Sequence, residues 1–359
     1  MTFPTIHNMT PYDNLGRLIL EKGTNHGDRT GKGRRSLFGY QMRFDIDGMK
    51  MPIDSSRQIY PKSACNEILW MLAGSTDVSL LKDMRCNFWD KWTYNLSTQE
   101  QKKFLKGNTA SMEFIDSIGP MYGAIWRGEF GMSYLMNKKG TTKTDQLSFV
   151  LNTFLSNHHS ARLRMTAWDP ELIPKDEKEA PWKNVAKGGA SLTPCHGDVQ
   201  FLYRYNEENK LKLTVVMFQR SADYMLGVPH NIAQYAFLAH WMAYITDAEA
   251  EELVINYGDV HIYCNHIEDA TKQFSIGQNE DSKPTLVLNE TEALVKLRNI
   301  VRRFRGEFEH GKATNFYKGA GFQLSEYFSE TINESKQANV FDIVGYKPFS
   351  DKYSYEAAV

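Results

Sequence analysis

Residues 191–235 read SLTPCHGDVQFLYRYNEENKLKLTVVMFQRSADYMLGVPHNIAQY. Two segments rich in β-branched and aromatic residues, 199–205 (VQFLYRY) and 211–218 (LKLTVVMF), flank the polar stretch 206–210 (NEENK). That pattern predicts a β-hairpin. Cys195 stands just before the first strand and Arg220 just after the second. LGVPHNIAQY comes next, a Gly/Pro turn opening a helix over about 231–246. Strand ends and loops on a rigid sheet are where reacting groups are held and still reach a substrate.

Working outward, 10–22 has the spacing of an amphipathic helix, with Thr10 as its cap. The Gly-rich loop 26–35 leads into a strand, 36–46. Residues 61–73 (PKSACNEILWMLA) predict an apolar helix with Glu67 set inside it, and another helix lies near 145–157. Residues 161–168 (ARLRMTAW) read as a strand with Arg162 and Arg164 on one face. Residues 252–266 make a strand with polar residues at its end. Stretches 93–118, 170–190 and 289–337 read as a polar excursion, a loop and a charged helical insertion. No repeat or low-complexity linker interrupts the chain, so a single α+β domain over 1–359 is expected.

The 359 residues suffice for a large core, and the formal net charge is −1. A near-neutral chain lacks the field of a protein held to nucleic acid by charge. The first twenty residues hold no basic segment followed by an apolar run, so no signal peptide is expected. No membrane span is expected either. Four cysteines (Cys65, Cys86, Cys195 and Cys264) show neither zinc spacing nor a disulfide framework. A reduced, cytoplasmic protein without a metal is the expectation.

Several residues admit two readings. Cys195 is either a small buried hydrophobe or a nucleophile whose thiolate a nearby Arg220 would stabilise. Arg220 and Ser221 together suit a phosphate, although an isolated Arg is commonly a surface ion pair. Glu67 is either exposed or a half-buried carboxylate suited to proton transfer. Arg29 is a solvated loop residue or a phosphate cover, and His261 with Tyr263 suits a sugar hydroxyl or an ordinary core.

Nine segments in order, DRTGKG, NEILWMLAGSTDV, FWDKW, GPMYGAIWR, SARLRMTAW, LTPCH, QRSADYMLGVPHNIAQY, GDVHIYCNH and the GYKP…AAV tail, resemble the thymidylate synthase family. The resemblance implies a large mixed sheet packed with helices, a sheet-to-sheet homodimer, a pyrimidine nucleoside monophosphate substrate and methylenetetrahydrofolate as one-carbon donor. It implies that Cys195 adds to carbon 6 of the pyrimidine, with Glu67 and Tyr122 handling protons. Arg29, Arg220 and Ser221 would hold the phosphate, Arg162 would reach it from the other subunit, and Gln200 would help bind the substrate. Asn231 would bond the uracil edge, which selects dUMP, and His261 and Tyr263 would hold the sugar. Trp89, Asp223, Leu226, Gly227, His230 and Val359 would line the folate site.

The chain departs from the family pattern in places. Ala161 stands where synthases carry a second arginine, and Tyr60 replaces a common His. His230 stands where synthases have Phe against the folate. The flanking GDVQ and AIW also lean toward the phage hydroxymethylase branch, a virus-encoded enzyme that adds water to the pyrimidine's exocyclic methylene. On these residues a dUMP hydroxymethylase is expected ahead of a thymidylate synthase, with His230 and Asp223 at the reaction centre.

Overall fold

Thr10 starts the first helix, α1 (Pro11–Lys22), with a reciprocal cap. Its hydroxyl accepts from the Asp13 amide, and the Asp13 carboxylate accepts the Thr10 amide. The structure is a computed structural model. It describes residues 9–28, 30–128, 144–176, 178–309, 316–337, 340–350, 353, 355 and 357. Contacts group into two compact units, one of Met1–Cys65, Phe201–Asn289 and Phe341–Val359, the other of Asn66–Gln200 and Glu290–Val340.

In the first unit, α1 is followed by β1 (Thr24–His26) and β2 (Arg34–Asp45), and α2 (Pro61–Leu72) begins there. The chain returns for β5 (Leu211–Asp223), α8 (Gly227–Ile245), β6 (Glu249–Tyr263), α9 (Ile267–Ile276), β7 (Thr285–Leu288) and finally β8 (Phe341–Val344). Its main sheet runs β1-β2-β6-β5 and continues to the end of β4 (Asp198–Tyr205). The turn predicted at 206–210 is present: the Asn206 amide donates to Lys210 O at 3.0 Å, and Asn209 takes φ 59. Strands β5 and β6 are parallel, so a crossover must join them, and α8 supplies it. Helix α8 is apolar on all sides, with Ile232, Tyr235, Phe237, Leu238 and Trp241 all buried. Such a helix is stable only inside a core. Strands β7 and β8 form a separate antiparallel pair.

The second unit holds the rest of α2 with α3 (Val78–Asp83), α4 (Gln99–Gly107), α5 (Gly123–Arg127), α6 (Gln146–Ser156), β3 (Arg164–Met165), α7 (Pro181–Ala186), the start of β4, α10 (Glu292–Glu309) and α11 (Phe316–Gln337). Helices α10 and α11 bury Leu294, Leu297, Val301, Leu324, Phe328 and Ile332, residues at helical spacing. Lys296 links the two helices through Glu326 and Glu330. The excursion 93–118 and α7 share an apolar cluster, where Tyr94 stacks on Trp182 at 5.8 Å.

Two local expectations are corrected. The strand predicted at 161–168 is reduced to Arg164–Met165, which pairs with Val199 and Gln200. Arg162 lies before it in a turn, because Ser160 Oγ accepts the Arg162 amide and the Arg164 amide folds back to Arg162 O. Arg162 and Arg164 therefore do not share a strand face. Within 170–190, Pro181 starts the short helix α7, its fixed φ suiting the first helical position.

Gly123 cannot carry a side chain, since a Cβ there would lie 2.2 Å from Met71 O. Gly123→Ala should destabilise the protein by about 2 kcal/mol or more, read as a lower urea midpoint at unchanged slope.

Candidate active site

In the second unit, Cys195 lies in the loop that runs into β4. Three points pin this loop. The Ser191 amide donates to Ile118 O at 2.9 Å, and its hydroxyl donates to Trp92 O at 2.6 Å. The Cys195 amide donates to the Tyr122 hydroxyl at 3.1 Å, and the Trp126 indole donates to Gly197 O at 3.1 Å. Tyr122 is the residue before α5 and takes φ 42, ψ −101, left-handed backbone that costs a tyrosine about 1–3 kcal/mol. Its ring stacks on His196 at 4.7 Å and meets Trp89 edge-on at 6.0 Å.

Glu67 is buried at 6 % exposure on α2, and the Trp89 indole donates to its carboxylate at 2.5 Å. The structure thus brings together four predicted residues of this unit: Cys195, Tyr122, Glu67 and Trp89. His196 joins them, and its adjacency to the cysteine is the signal the sequence offers. Burial pushes the His196 pKa down to about 3, so the ring is neutral at ordinary pH. No disulfide joins the four cysteines, and burial pushes the Cys65 and Cys86 thiols up. Cys195 keeps partial solvent access. Arg162 is exposed in its turn, and Gln200 donates from its side chain to Ala161 O at 2.8 Å.

In the first unit, the parallel register sets Ser221 beside Asp259 and Asp223 beside His261. Arg220 precedes them, and Gly258 is required because a Cβ there would come 2.8 Å from Arg220 O. Asp259 accepts from Arg34 at 2.9 Å and contacts His261 Nδ1 at 3.2 Å. Burial raises the Asp259 carboxyl, but the His261 bond and the Arg34 charge outweigh it and hold the pKa below the usual range. Tyr263 meets the His261 ring edge-on at 5.2 Å.

The corner from Asp223 into α8 is clasped from several sides. Tyr12 and Tyr224 stack at 4.7 Å, and each hydroxyl donates to the other's carbonyl. Arg57 donates to Met225 O, and its guanidinium lies 5.0 Å from the Tyr355 ring centre. Nothing in the local sequence marks Arg57. Burial raises the Asp223 pKa; His261, His266 and the Leu226 and Met225 amides act against that. Gly227 opens α8, with Leu226 as its cap. Asn231 is buried between two glutamines: Gln219 donates to its Oδ1 at 3.0 Å, and its Nδ2 donates to Gln234 at 2.9 Å. These bonds fix which end of the amide accepts and which donates, and leave one lone pair and one N–H for a further partner.

His230 Nδ1 lies 2.9 Å from Leu226 O. Only an N–H can bond a carbonyl, so the neutral ring carries its proton on Nδ1 and Nε2 is the acceptor nitrogen. Burial pushes the His230 pKa down to about 4, against the raising effect of the Leu226 bond. Arg29 and Val359 lie outside the described residues. Among the described residues, no group of three or more His, Cys, Asp or Glu could hold a metal ion. No described helix is long and apolar enough to cross a membrane.

In the second unit, a thiol in a pinned loop close to a buried carboxylate suits covalent addition and proton transfer. Residues 10–305 match the family model described as thymidylate synthase. The chain is 39% identical over 267 residues to a thymidylate synthase of Francisella philomiragia, covering 74% of this chain and 84% of that protein. It is 38% identical over the same length, with the same coverage, to a thymidylate synthase of Francisella tularensis subsp. holarctica. The chain belongs to the thymidylate synthase family, and methylenetetrahydrofolate is its co-substrate.

The folded pKa of His230 lies below the value of about 6.5 expected when unfolded. The unfolded state therefore binds the extra proton, and stability falls as pH drops from about 6.5 toward about 4. His230→Phe should flatten that acid-side loss, measured as unfolding free energy against pH.

Proposed function

We propose that the protein methylates dUMP at carbon 5, forming dTMP and converting methylenetetrahydrofolate to dihydrofolate. The observation that carries this reading is Cys195, held by its amide on the Tyr122 hydroxyl while the residue keeps partial solvent access. The Cys195 thiolate adds to carbon 6, and the electron pair moves to carbon 5. Carbon 5 bonds the donor's methylene, the carbon-5 proton leaves to a base, and the donor nitrogen departs with its bonding pair. Methylenetetrahydrofolate supplies the one-carbon unit and then the hydride that completes the methyl group. Loss of the Cys195 sulfur from carbon 6 restores the ring. Glu67 and Tyr122 handle protons at the ring.

Asn231 supplies an acceptor and a donor, a match for the N–H and carbonyl of uracil. Arg220, Ser221 and Arg29 take the phosphate, Gln200 assists in substrate binding, and His261 and Tyr263 take the sugar hydroxyl. Asp223, a carboxylate held by the Leu226 amide, fits the N–H donors of a folate ring, and Trp89 offers an aromatic wall. Leu226, Gly227 and Val359 complete the folate site in this reading. A homodimer is part of it, with Arg162 serving the phosphate bound by the second copy. Phe38, Leu202 and Phe218, large apolar residues exposed on strands at 71%, 37% and 45%, support a partner surface.

A second reading is favoured by His230. Its acceptor Nε2 suits a water molecule, and that water would add to the exocyclic methylene in place of hydride. The products are then 5-hydroxymethyl-dUMP and tetrahydrofolate. Incubation with dUMP and methylenetetrahydrofolate, followed by mass analysis of both products, tests the pair. dTMP with dihydrofolate is expected. A nucleotide with one extra oxygen, lost again on His230→Phe, establishes the hydroxymethylase instead. Turnover of dCMP but not dUMP would overturn both.

A further inference from the structure

The family match ends at residue 305, so α11 lies wholly beyond it. That helix nevertheless reaches a buried cation. The Arg127 side chain has no exposed surface. It donates to both Asp145 oxygens at 3.0 and 3.1 Å, to Leu72 O at 2.8 Å and to Ser325 Oγ at 3.2 Å. The Phe328 ring lies 5.3 Å from its guanidinium carbon. Asp145 in turn caps α6 through the Ser148 amide and hydroxyl.

This one group and its partners span four helices. Leu72 ends α2, the helix that bears Glu67. Arg127 ends α5, the helix that Tyr122 precedes. Asp145 starts α6, and Ser325 and Phe328 belong to α11. A planar guanidinium with five donors can hold several acceptors in fixed directions, which an ammonium cannot. A left-handed tyrosine persists only where its surroundings over-determine it.

We propose that α11 is a positioning element for the reaction. Ser325 and Phe328 hold the Arg127 guanidinium, and Arg127 fixes the end of the Glu67 helix against the helix that Tyr122 starts. The proposal rests on the reading in which Glu67 and Tyr122 move protons at the pyrimidine. Without the Phe328 ring, Arg127 gains room to turn, and Tyr122 relaxes toward an ordinary backbone conformation. A shift of about 1 Å in a proton-handling group lowers turnover far more than binding.

The test uses the full chain with Phe328→Ala and Phe328→Leu, each also made in a Tyr122→Phe background. Phe328→Ala should lower kcat about tenfold and leave KM for dUMP within about twofold, while Phe328→Leu restores most of the rate. In the Tyr122→Phe background, Phe328→Ala should lower kcat by less than about twofold, because the two changes act through one group. Hydrogen exchange of residues 119–127 should quicken in Phe328→Ala. An equal loss in both backgrounds, or unchanged exchange in 119–127, overturns the proposal. If the unaltered chain does not convert dUMP, the functional reading fails, and the exchange result alone decides whether α11 braces α5. If Phe328→Ala does not fold, Ser325→Ala takes the same measurements, with a loss of about threefold expected from one hydrogen bond.

Discussion

The second unit depends on a hydrogen bond between a backbone amide and the side chain of a residue whose own backbone is strained. Cys195 donates its N–H to the hydroxyl of Tyr122, and Tyr122 presents that hydroxyl from φ 42. The residues of α5 sustain the strain. Gly123 lies against Met71 O where no side chain fits, Trp126 reaches Gly197 O, and Arg127 is locked to Asp145. A buried ion pair of this kind is weak as a source of net stability. Removing one partner alone costs about 3–5 kcal/mol because the other is left charged in the core. The pair therefore acts as a constraint on where α5 can sit, and through Tyr122 on where the Cys195 loop can sit.

The first unit applies the same logic to Asn231. A single hydrogen bond does not define an amide's direction, but Gln219 on one side and Gln234 on the other define that of Asn231. The corner before it is held by the mutual clasp of Tyr12 and Tyr224 and by Arg57 on Met225 O. Surroundings of this kind keep one end of the amide as acceptor and the other as donor. His230 is likewise set by a neighbour, since Leu226 O dictates its tautomer.

Much of this is legible in the sequence, and the parts that are not share a cause. The hairpin, α1, α2, α6 and α8 follow from local periodicity and turn chemistry, which short stretches carry in full. Cys195, Tyr122, Glu67 and Trp89 stand in ordered motifs, and the structure gathers them in one unit. The Trp89 bond to Glu67 is not legible, since its partners are 22 residues apart and no local pattern encodes the pairing. Arg162 reads as a strand residue but sits in a turn, because Ser160 competes with the ladder for its amide. Arg57 carries no local signal; Gln219, Gln234 and Arg127 stand in ordered motifs, but those motifs do not show that they bond Asn231 and Asp145. The insertion 289–337 reads as a charged helical excursion, and only its buried face, with Ser325 and Phe328, connects it to Arg127.

The central claim is that the Cys195 sulfur bonds the substrate. It is tested most directly by trapping the adduct. With 5-fluoro-dUMP and methylenetetrahydrofolate, carbon 5 carries fluorine in place of the proton that must leave, so the sequence halts while the sulfur is still attached. Proteolysis and mass mapping should place the combined mass of nucleotide and folate on the tryptic peptide spanning 188–204, at Cys195. Absence of any mass on Cys195, or retained conversion of dUMP by Cys195→Ala, would contradict the account.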